Sequence, residues 1–299
     1  MSSPWIAGLR SVALNVPDLA RAEDFYTRVW NLDVVARTAG AIYLRGTGAD
    51  HHLLSLHLGG EACEIRHVTL RARDRSALQA VAEASLRAGG SIHTPLASNS
   101  EPGKGEVVTV RDPHGRLLQV VHGDETHRDA YAARDRPLRL AHVVLNSHDV
   151  AATQDFFEQA LGFRLADRTR IMAFLNCNAD HHSVALGDTD NDALNHIAFV
   201  MPDLESVMRG GGRMRDAGHE IEWGPGRHGP GDNAFNYFIG PFGEVIEYTA
   251  DVQQIDDSYK AGGPDDWKWP AGRVDQWGIS QPPSSRLKDA QRQVFFIPS

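Results

Sequence analysis

The amino-acid sequence predicts an α+β fold built from four similar modules, each with a strand, a helix and three further strands. Two observations predict it: the chain repeats itself after 131 residues, and each half repeats its own order of elements once more. In this register Leu14-Asn15 aligns with Leu145-Asn146, and Asp24-Phe25 aligns with Asp155-Phe156. A length of 299 residues suits two domains, and the repeat makes those domains homologous.

The first module is predicted over about residues 8–58, where short apolar runs alternate with polar turns. Its helix follows Pro17-Asp18, a pair that is typical of a helix start. The predicted elements are a strand at 11–16, a helix at 19–29, and strands at 32–37, 41–45 and 52–58.

The second module is predicted over residues 64–121 and repeats this order. Its last two strands are joined by Asp112-Pro113-His114-Gly115, which suits a tight turn because proline presets φ and glycine accepts a positive φ. Residues 139–187 and 193–249 give the third and fourth modules by the same pattern. The predicted elements of the second module are a strand at 65–72, a helix at 75–88, and strands near 90–95, at 105–111 and at 117–122.

Four modules in sequence predict two domains and a tail. We expect an N-terminal domain over 1–123, a C-terminal domain over 138–252 and a tail over 253–299, with a charged connector between the domains. The tail contains Trp267, Trp269 and Trp277. Because these side chains carry much apolar area, we expect the tail to pack on the domains, as a structural wrap or as a wall or lid over a site.

The composition is typical of a globular enzyme of the cytoplasm. Hydrophobic residues make up 41% and charged residues 23% of the chain, and no run approaches the length of a membrane span or resembles a secretory signal. The net charge of −9 disfavours nonspecific binding of nucleic acid. Cys63 and Cys177 lack CxxC spacing, so neither a disulfide framework nor a thiolate zinc site is expected.

The two halves differ where a metal site is expected. The second half carries His142, His196 and Glu247 on predicted strands. The corresponding residues of the first half are Ser11, His67 and Gln119. Two imidazoles and one carboxylate are the donor set of an open non-haem Fe(II) site, whereas a serine and an amide are not. We therefore predict a metal in the second half, and a core or hydrogen-bonded role for His67.

Apolar residues near the predicted ligands are candidates for a substrate pocket. Val144 lies two residues beyond His142 and so faces the same side of its strand. Met172 and Phe174 share a face of the strand that leads to Asp180. Such walls hold an aromatic ring and exclude water, although core residues would show the same pattern.

A local motif of the second half resembles that of a known family. It consists of Gly226-Arg227-His228, Tyr237, Pro241, Gly243 and Glu247. This pattern is similar to the signature of the type I extradiol ring-cleavage dioxygenases of the vicinal oxygen chelate superfamily, which includes the biphenyl-2,3-diol and catechol 2,3-dioxygenases. The resemblance covers both domains and implies paired βαβββ modules of the glyoxalase/dihydroxybiphenyl dioxygenase type. Asn236 and Gly240 depart from the usual pattern, which leaves the subfamily and substrate open.

The resemblance also implies roles for individual residues. It makes His142, His196 and Glu247 ligands of Fe(II), with Mn(II) as an alternative, and His182 the acid/base that serves a catechol. His228 and Tyr237 would hydrogen-bond the bound catechol and oxygen, and both atoms of O2 would enter the product. A homo-oligomer is expected from the family alone.

His182 belongs to a motif that both halves contain, Asp50-His51-His52 and Asp180-His181-His182. The motif is thus also consistent with a turn that only serves the fold. Neighbouring residues of an extended chain face opposite sides, so only one of His181 and His182 is expected in the pocket.

Two other functions remain open within the same fold. One is a metal-dependent isomerase or lyase of the glyoxalase kind, and the other is a ligand-sequestering protein of the bleomycin-resistance kind. Oxygen consumption separates the dioxygenase from both, and metal content separates the other two from each other.

Overall fold

The protein, described over residues 3–298 by a computed structural model, contains two eight-stranded sheets. The strands of the first sheet are β1 (Ile6–Val16), β2 (Asp33–Arg37), β3 (Ala41–Arg45), β4 (Leu54–Leu58), β5 (Glu64–Ala72), β6 (Ser91–Ser98), β7 (Glu106–Arg111) and β8 (Leu117–His122). Those of the second are β9 (Arg139–Ser147), β10 (Arg164–Arg168), β11 (Met172–Asn176), β12 (Val184–Asp188), β13 (Leu194–Val200), β14 (Trp223–Arg227), β15 (Ala234–Ile239) and β16 (Val245–Ala250).

Each sheet is formed by two modules that meet through their first strands. The strand order is β2-β3-β4-β1-β5-β8-β7-β6 in the first sheet and β10-β11-β12-β9-β13-β16-β15-β14 in the second, so the two sheets have the same topology. The central pairs β1–β5 and β9–β13 are antiparallel. The predicted α+β class and the four βαβββ modules are confirmed.

Helices cover the sheets. They are α1 (Leu19–Asp24), α2 (Ser76–Arg87), α3 (Val150–Leu161), α4 (Leu204–Asp216) and α5 (Ser285–Ala290), and a π-helical segment, Phe25–Val29, follows α1 directly. Asp18, Asp149 and Asp203 begin α1, α3 and α4, and each carboxylate accepts a backbone N–H of the first turn. No helix within residues 3–298 is both long and apolar enough to cross a membrane.

The prediction of one regular helix over 19–29 was wrong in its second half. The chain widens into the π-helical segment, and Trp30, directly after it, is fully buried. Trp30 stacks on Tyr248 of the second domain with ring centroids 3.6 Å apart, and the Tyr26 hydroxyl donates to Glu244 at 2.7 Å. These contacts lie between domains, so the local sequence gives no signal for the wider turn.

The two domains share one hydrophobic core, because buried side chains of both sheets form a single cluster. The tail adds to it at two points. Val294 forms a bridge to Leu194 of β13, and Phe296 forms a bridge to Ile65 of β5, so the end of the chain crosses both sheets.

The tail packs through its aliphatic residues. Leu287, Ala290 and Val294 are buried, whereas Trp269 and Trp277 are 41% and 36% exposed. Trp269 nevertheless lies against Gly229, and the Arg227 guanidinium lies over the Trp277 ring, so both tryptophans also contact the second domain.

Candidate metal centre

The three predicted ligands lie on adjacent strands at the centre of the second sheet. His142 is on β9, His196 on β13 and Glu247 on β16. Ala198 of β13 pairs with His142 on one side and with Glu247 on the other, and His196 lies two residues before it. Because alternate residues of a strand face the same side of a sheet, this register brings the three side chains together.

Their donor atoms converge within hydrogen-bonding distance. Glu247 Oε2 lies 3.2 Å from Nε2 of His142 and 3.2 Å from Nε2 of His196, and the two Nε2 atoms are 3.3 Å apart. The side chains are 0 to 5% exposed. This is one of two groups of potential metal ligands within residues 3–298, and the only one that is fully buried.

The hydrogen bonds of His196 indicate whether its Nε2 has a lone pair available for a cation. His196 Nδ1 donates to Asn195 Oδ1 at 2.8 Å, and Asn195 Oδ1 also accepts from Gln291 Nε2. Burial lowers the pKa of His196, which favours the neutral ring. A neutral ring with its proton on Nδ1 directs the Nε2 lone pair toward Glu247. A cation between the two removes the repulsion of facing lone pairs.

The charge of Glu247 also favours a cation at this position. Burial alone would raise the pKa of Glu247, but hydrogen bonds and positive charge from His142 and His196 lower it well below its usual range; a cation held between the carboxylate and neutral rings would supply the same positive charge. Its Oε1 has longer contacts, with Asn233 Nδ2 at 3.4 Å and with His228 Nε2 at 3.8 Å. A buried carboxylate without a strong cationic partner is costly, and two imidazoles beside it complete a metal-binding set. The residues present therefore fit a divalent metal ion.

Three further predicted residues surround this cluster. The His182 ring lies 4.3 Å from the His142 ring, centroid to centroid. His228 Nε2 and the Tyr237 hydroxyl are 3.0 Å apart, and that hydroxyl is 3.4 Å from His196 Nε2. The structure thus brings all six polar residues predicted from the sequence into one place.

Burial shifts the pKa of each of these three groups toward its neutral form. It lowers the pKa of His182 well below its usual value and the pKa of His228 to about 4. It raises the pKa of Tyr237, and the negative charge of Glu247 raises it further. At neutral pH, the residues around the three candidate ligands therefore include a neutral base and neutral hydrogen-bonding groups.

A cavity of about 310 Å³ opens above the cluster. Val144, Met172 and Phe174 all line it, and so does His182, whereas His181 does not. A larger cavity of about 700 Å³ lies between the domains along β1, β9 and the connector, but it contains none of the predicted site residues. The smaller cavity is the candidate site because its walls are mainly apolar and two of the three candidate ligands, His142 and His196, line it.

Several lining residues were not predicted from the sequence. Trp223 and Pro230 come from the fourth module, and Pro283, Lys288 and Gln291 come from the tail. The tail therefore forms a wall of the cavity, which was one of the two roles left open for it. Its sequence carries no periodic or motif signal for that position. Asn195 was also missed, although its place directly before His196 was a signal for a supporting role.

The first half holds an arginine where the second half holds the cluster. Arg10 Nη1 donates to Ser11 Oγ at 2.9 Å and lies 2.5 Å from His52 Nε2. Ser11 and His52 occupy the positions of His142 and His182. Burial lowers the pKa of His67 to about 3, and no group of potential metal ligands in the described chain includes it. A guanidinium thus supplies the positive charge in this half.

The sequence of the chain is similar to those of known proteins. Residues 8–120 and 139–248 match the model of the Glyoxalase/Bleomycin resistance protein/Dioxygenase superfamily. Metapyrocatechase 2 of Cupriavidus necator is 30% identical over 90% of this chain and 88% of its own length. The manganese-dependent 2,3-dihydroxybiphenyl 1,2-dioxygenase of Geobacillus genomosp. 3 is 23% identical over 79% of this chain and 82% of its own length.

A solved structure extends the likeness to three dimensions. The Mn(II)-bound glyoxalase from Novosphingobium aromaticivorans superposes with a TM-score of 0.87 and 31% identity, over 96% of this chain and 94% of the other. The repeated modules and the match of both halves to one family model lead to the same assignment. The chain belongs to the Glyoxalase/Bleomycin resistance protein/Dioxygenase superfamily.

Proposed function

We propose that the protein is a metal-dependent extradiol dioxygenase that opens a catechol-type ring beside its two hydroxyls and adds both atoms of O2. The observation that carries the proposal is the convergence of His142, His196 and Glu247, two of which, His142 and His196, line an apolar cavity. Three protein ligands on an octahedral ion leave positions for a two-oxygen substrate and for O2. The metapyrocatechase and dihydroxybiphenyl dioxygenase names of the relatives support the same reaction.

We assign the metal to His142, His196 and Glu247, with Fe(II) as the ion. When bound there, Fe(II) would supply a Lewis acid for the catechol oxygens and the redox chemistry that O2 activation requires. The donor set is that of non-haem Fe(II) oxygenases. Mn(II) is the alternative, because it is named in one relative and in the solved structure.

The cavity walls would position the ring and exclude water. Val144 and Phe174 belong to a small buried apolar cluster, against which Met172 packs. The ring of Phe174 lies 5.1 Å from that of His182, so a bound aromatic ring would contact both. An apolar, water-poor site strengthens each polar interaction made inside it.

His182 is proposed as the proton acceptor and later donor. A catechol must lose a proton to bind a metal through oxygen, and a neutral, buried imidazole beside the metal ligands can take it. His228 and Tyr237 would stabilise charge that develops on substrate oxygen, because their polar atoms meet within 3.0 Å of each other next to His196.

The test is oxygen uptake by the iron-loaded protein with mono- and bicyclic catechols, followed in an oxygen electrode and by the absorbance of the ring-opened product. We expect uptake that requires Fe(II), and its loss together with bound metal in Glu247→Gln. Gln119→Asn, at the corresponding position of the first half, serves as the control and should keep both. Metal binding without oxygen uptake for any catechol would contradict the proposal.

A glyoxalase-type isomerase is the second candidate, because the solved structure with a TM-score of 0.87 carries that name. It consumes no oxygen, so the same electrode experiment separates the two functions. The isomerase would convert a hemithioacetal in the absence of air, which is followed by the absorbance of the thioester formed.

Two wider properties also belong to the proposal. Cys63 and Cys177 are free and buried, and a reducing compartment preserves such thiols, so we propose a cytoplasmic location. We further propose a homo-oligomer, which light scattering of the metal-loaded protein would test.

A further inference from the structure

A chain of three hydrogen-bonded side chains leads away from the candidate metal centre. Asp167 Oδ2 lies 2.7 Å from His181 Nε2, and His181 Nδ1 lies 3.1 Å from His182 Nδ1. Asp167 and His181 are completely buried, and His182 is 3% exposed. Of the three, only His182 lines the cavity.

Asp167 receives three hydrogen bonds, two of which come from the tail. Gly262 N–H donates to Oδ1 at 2.6 Å, and the Tyr259 hydroxyl donates to Oδ2 at 2.9 Å. The third donor is His181 Nε2. Because an ionised carboxylate only accepts hydrogen bonds, His181 must carry its proton on Nε2.

This proton determines the protonation of the next ring. A neutral His181 with its proton on Nε2 has a lone pair on Nδ1, so it can only accept from His182. His182 must then carry its own proton on Nδ1 and keep a lone pair on Nε2. The described residues give this Nε2 no hydrogen-bond partner. The ring borders the cavity 4.3 Å from that of His142.

We propose that Asp167 and His181 are positioning residues that hold His182 as the Nδ1-protonated tautomer, so that its Nε2 is ready to accept a proton from a bound substrate. The tautomer follows from these hydrogen bonds for an ionised Asp167 and a neutral His181, and its catalytic use rests on the proposed function. Tyr259 and Gly262 attach the tail to Asp167 through their hydrogen bonds. The tail therefore contacts this carboxylate and also forms a wall of the cavity.

The first half of the chain contains the corresponding histidine pair but not the carboxylate. His51 Nδ1 and His52 Nδ1 are also 3.0 Å apart. The residue at the position of Asp167 is Ala36, since each follows a bulge and pairs with the corresponding aromatic residue, Tyr43 or Phe174. The histidine pair therefore occurs in both halves, but the carboxylate occurs only beside the candidate metal centre.

Asp167→Asn is designed to move the ring proton of His181 and that of His182 to the opposite ring nitrogen. Gly262 N–H should hold the amide oxygen at the Oδ1 position, which turns the amide NH2 toward His181 Nε2. His181 then carries its proton on Nδ1 and donates to His182, which moves the His182 proton to Nε2. A comparable carboxylate-to-amide change in the Ser-His-Asp triad lowers kcat about 10⁴-fold because the histidine takes the wrong tautomer.

The test combines nitrogen NMR of the histidines with kinetics. In 15N-labelled, zinc-loaded wild-type protein, we expect His182 Nε2 to resonate in the range of an unprotonated ring nitrogen. In Asp167→Asn it should move to the protonated range, with metal content unchanged. For the iron-loaded variant we expect kcat to fall about a hundredfold or more, with little change in KM.

Two variants serve as controls. Tyr259→Phe removes one donor but keeps the carboxylate, so His182 should keep its wild-type tautomer. His51→Gln disrupts the matched pair in the first half and should leave kcat unchanged.

A protonated His182 Nε2 in the wild-type protein would overturn the proposal, and this measurement requires no variant to fold. An Asp167→Asn protein with unchanged tautomer and kcat would overturn it as well. Failure of the proposed function has a different signature, because the wild-type NMR result would stand while no catechol gave oxygen uptake.

Discussion

Asn195 connects a candidate metal ligand to the tail of the chain. Its Oδ1 accepts from His196 Nδ1 at 2.8 Å and from Gln291 Nε2 at 2.8 Å, and its Nδ2 donates to Asn146 Oδ1 at 2.9 Å. These bonds fix the orientation of the amide, and the amide fixes the ring of His196. Partners of this kind set the tautomer and basicity of a metal-bound imidazole.

Asn195→Ala should therefore weaken metal binding without removing a ligand. We expect an affinity about 10- to 100-fold lower, because His196 loses the acceptor of its Nδ1 proton. Competition with a metallochromic chelator measures the dissociation constant. Asn191→Ala is the comparison, since its side chain reaches Asn146 but not His196. Equal affinities in wild type and Asn195→Ala would show that the ring is held by other contacts.

Asp124 gives a prediction for the pH dependence of stability. Its carboxylate accepts from Arg10 Nε at 3.1 Å and from Arg71 Nη2 at 2.7 Å. Burial alone would raise the pKa of Asp124, but the hydrogen bonds and charges of Arg71 and Arg10 lower it below its usual value. The unfolded chain therefore binds this proton at a higher pH than the folded protein, and stability increases with pH in that window.

Asp124→Asn should thus be less stable than wild type at neutral pH, and the difference should shrink below about pH 4, the ordinary pKa of an aspartate. As the pH falls through the lowered pKa of the folded protein, the wild type loses the contribution that the variant lacks. Urea unfolding of both proteins between neutral pH and about pH 3 measures it. A constant difference over that range would contradict the prediction.

At the scale of elements, α4 carries three consecutive glycines with different surroundings. A Cβ at Gly210 would lie 2.8 Å from Cδ2 and from Cε2 of the buried Tyr248 ring, whereas a Cβ at Gly212 would meet nothing within 4 Å. Gly210 is therefore needed for close packing of the helix on β16. Gly212 is exposed and lowers the helix propensity without a packing reason.

The two glycines form a matched pair for alanine substitution. Gly212→Ala should raise the free energy of unfolding by about 0.5–1 kcal/mol, because alanine restricts the unfolded chain and favours helix. Gly210→Ala should lower it by about 1–3 kcal/mol, because the methyl group overpacks against Tyr248. Denaturant unfolding measures both values. Similar changes in the two variants would show that α4 can move away from β16.

The sequence predicted the elements closely where the signal is local. The strands at 41–45 and 117–122 coincide with β3 and β8, since each is a short apolar run between turn residues. The π-helical segment was missed because contacts of Tyr26 and Trp30 with the other domain shape it. Local patterns do not contain such long-range contacts.

The candidate site was predictable for a different reason. Comparison of the halves separated His142 and Glu247 from residues that serve the fold, and the family resemblance added His182, His228 and Tyr237. Asp167 was missed because a single acid on a short strand is not distinctive. The tail residues of the cavity wall were missed because no module in the repeat corresponds to them.

At the scale of the whole molecule, the shared core predicts that the two domains unfold together. Trp30 of the first domain is fully buried and stacks on Tyr248, whose hydroxyl donates to the Trp30 carbonyl at 2.7 Å. Buried Arg116 also crosses the interface, with its Nη2 donating to Asn146 O at 2.8 Å and to Asp192 Oδ1 at 2.6 Å.

Trp30→Ala should lower the free energy of unfolding by about 3–5 kcal/mol, because it leaves a large cavity between the domains. Calorimetry of the wild-type protein should show one transition, and Trp30→Ala should move that transition to lower temperature. Trp277→Ala, at a 36% exposed residue, should move the transition less than Trp30→Ala does. Two separate transitions in the wild type would show that the core does not couple the domains.

Arg10 has a consequence for any attempt to give the first half a metal site by design. Replacing Ser11 by histidine and Gln119 by glutamate supplies the missing ligands beside His67. The guanidinium, however, lies against Ser11 Oγ and His52 Nε2, so an incoming cation would meet a fixed positive charge. A symmetric enzyme with two metal centres therefore requires Arg10→Ala as a third change, which reproduces Ala141 before His142.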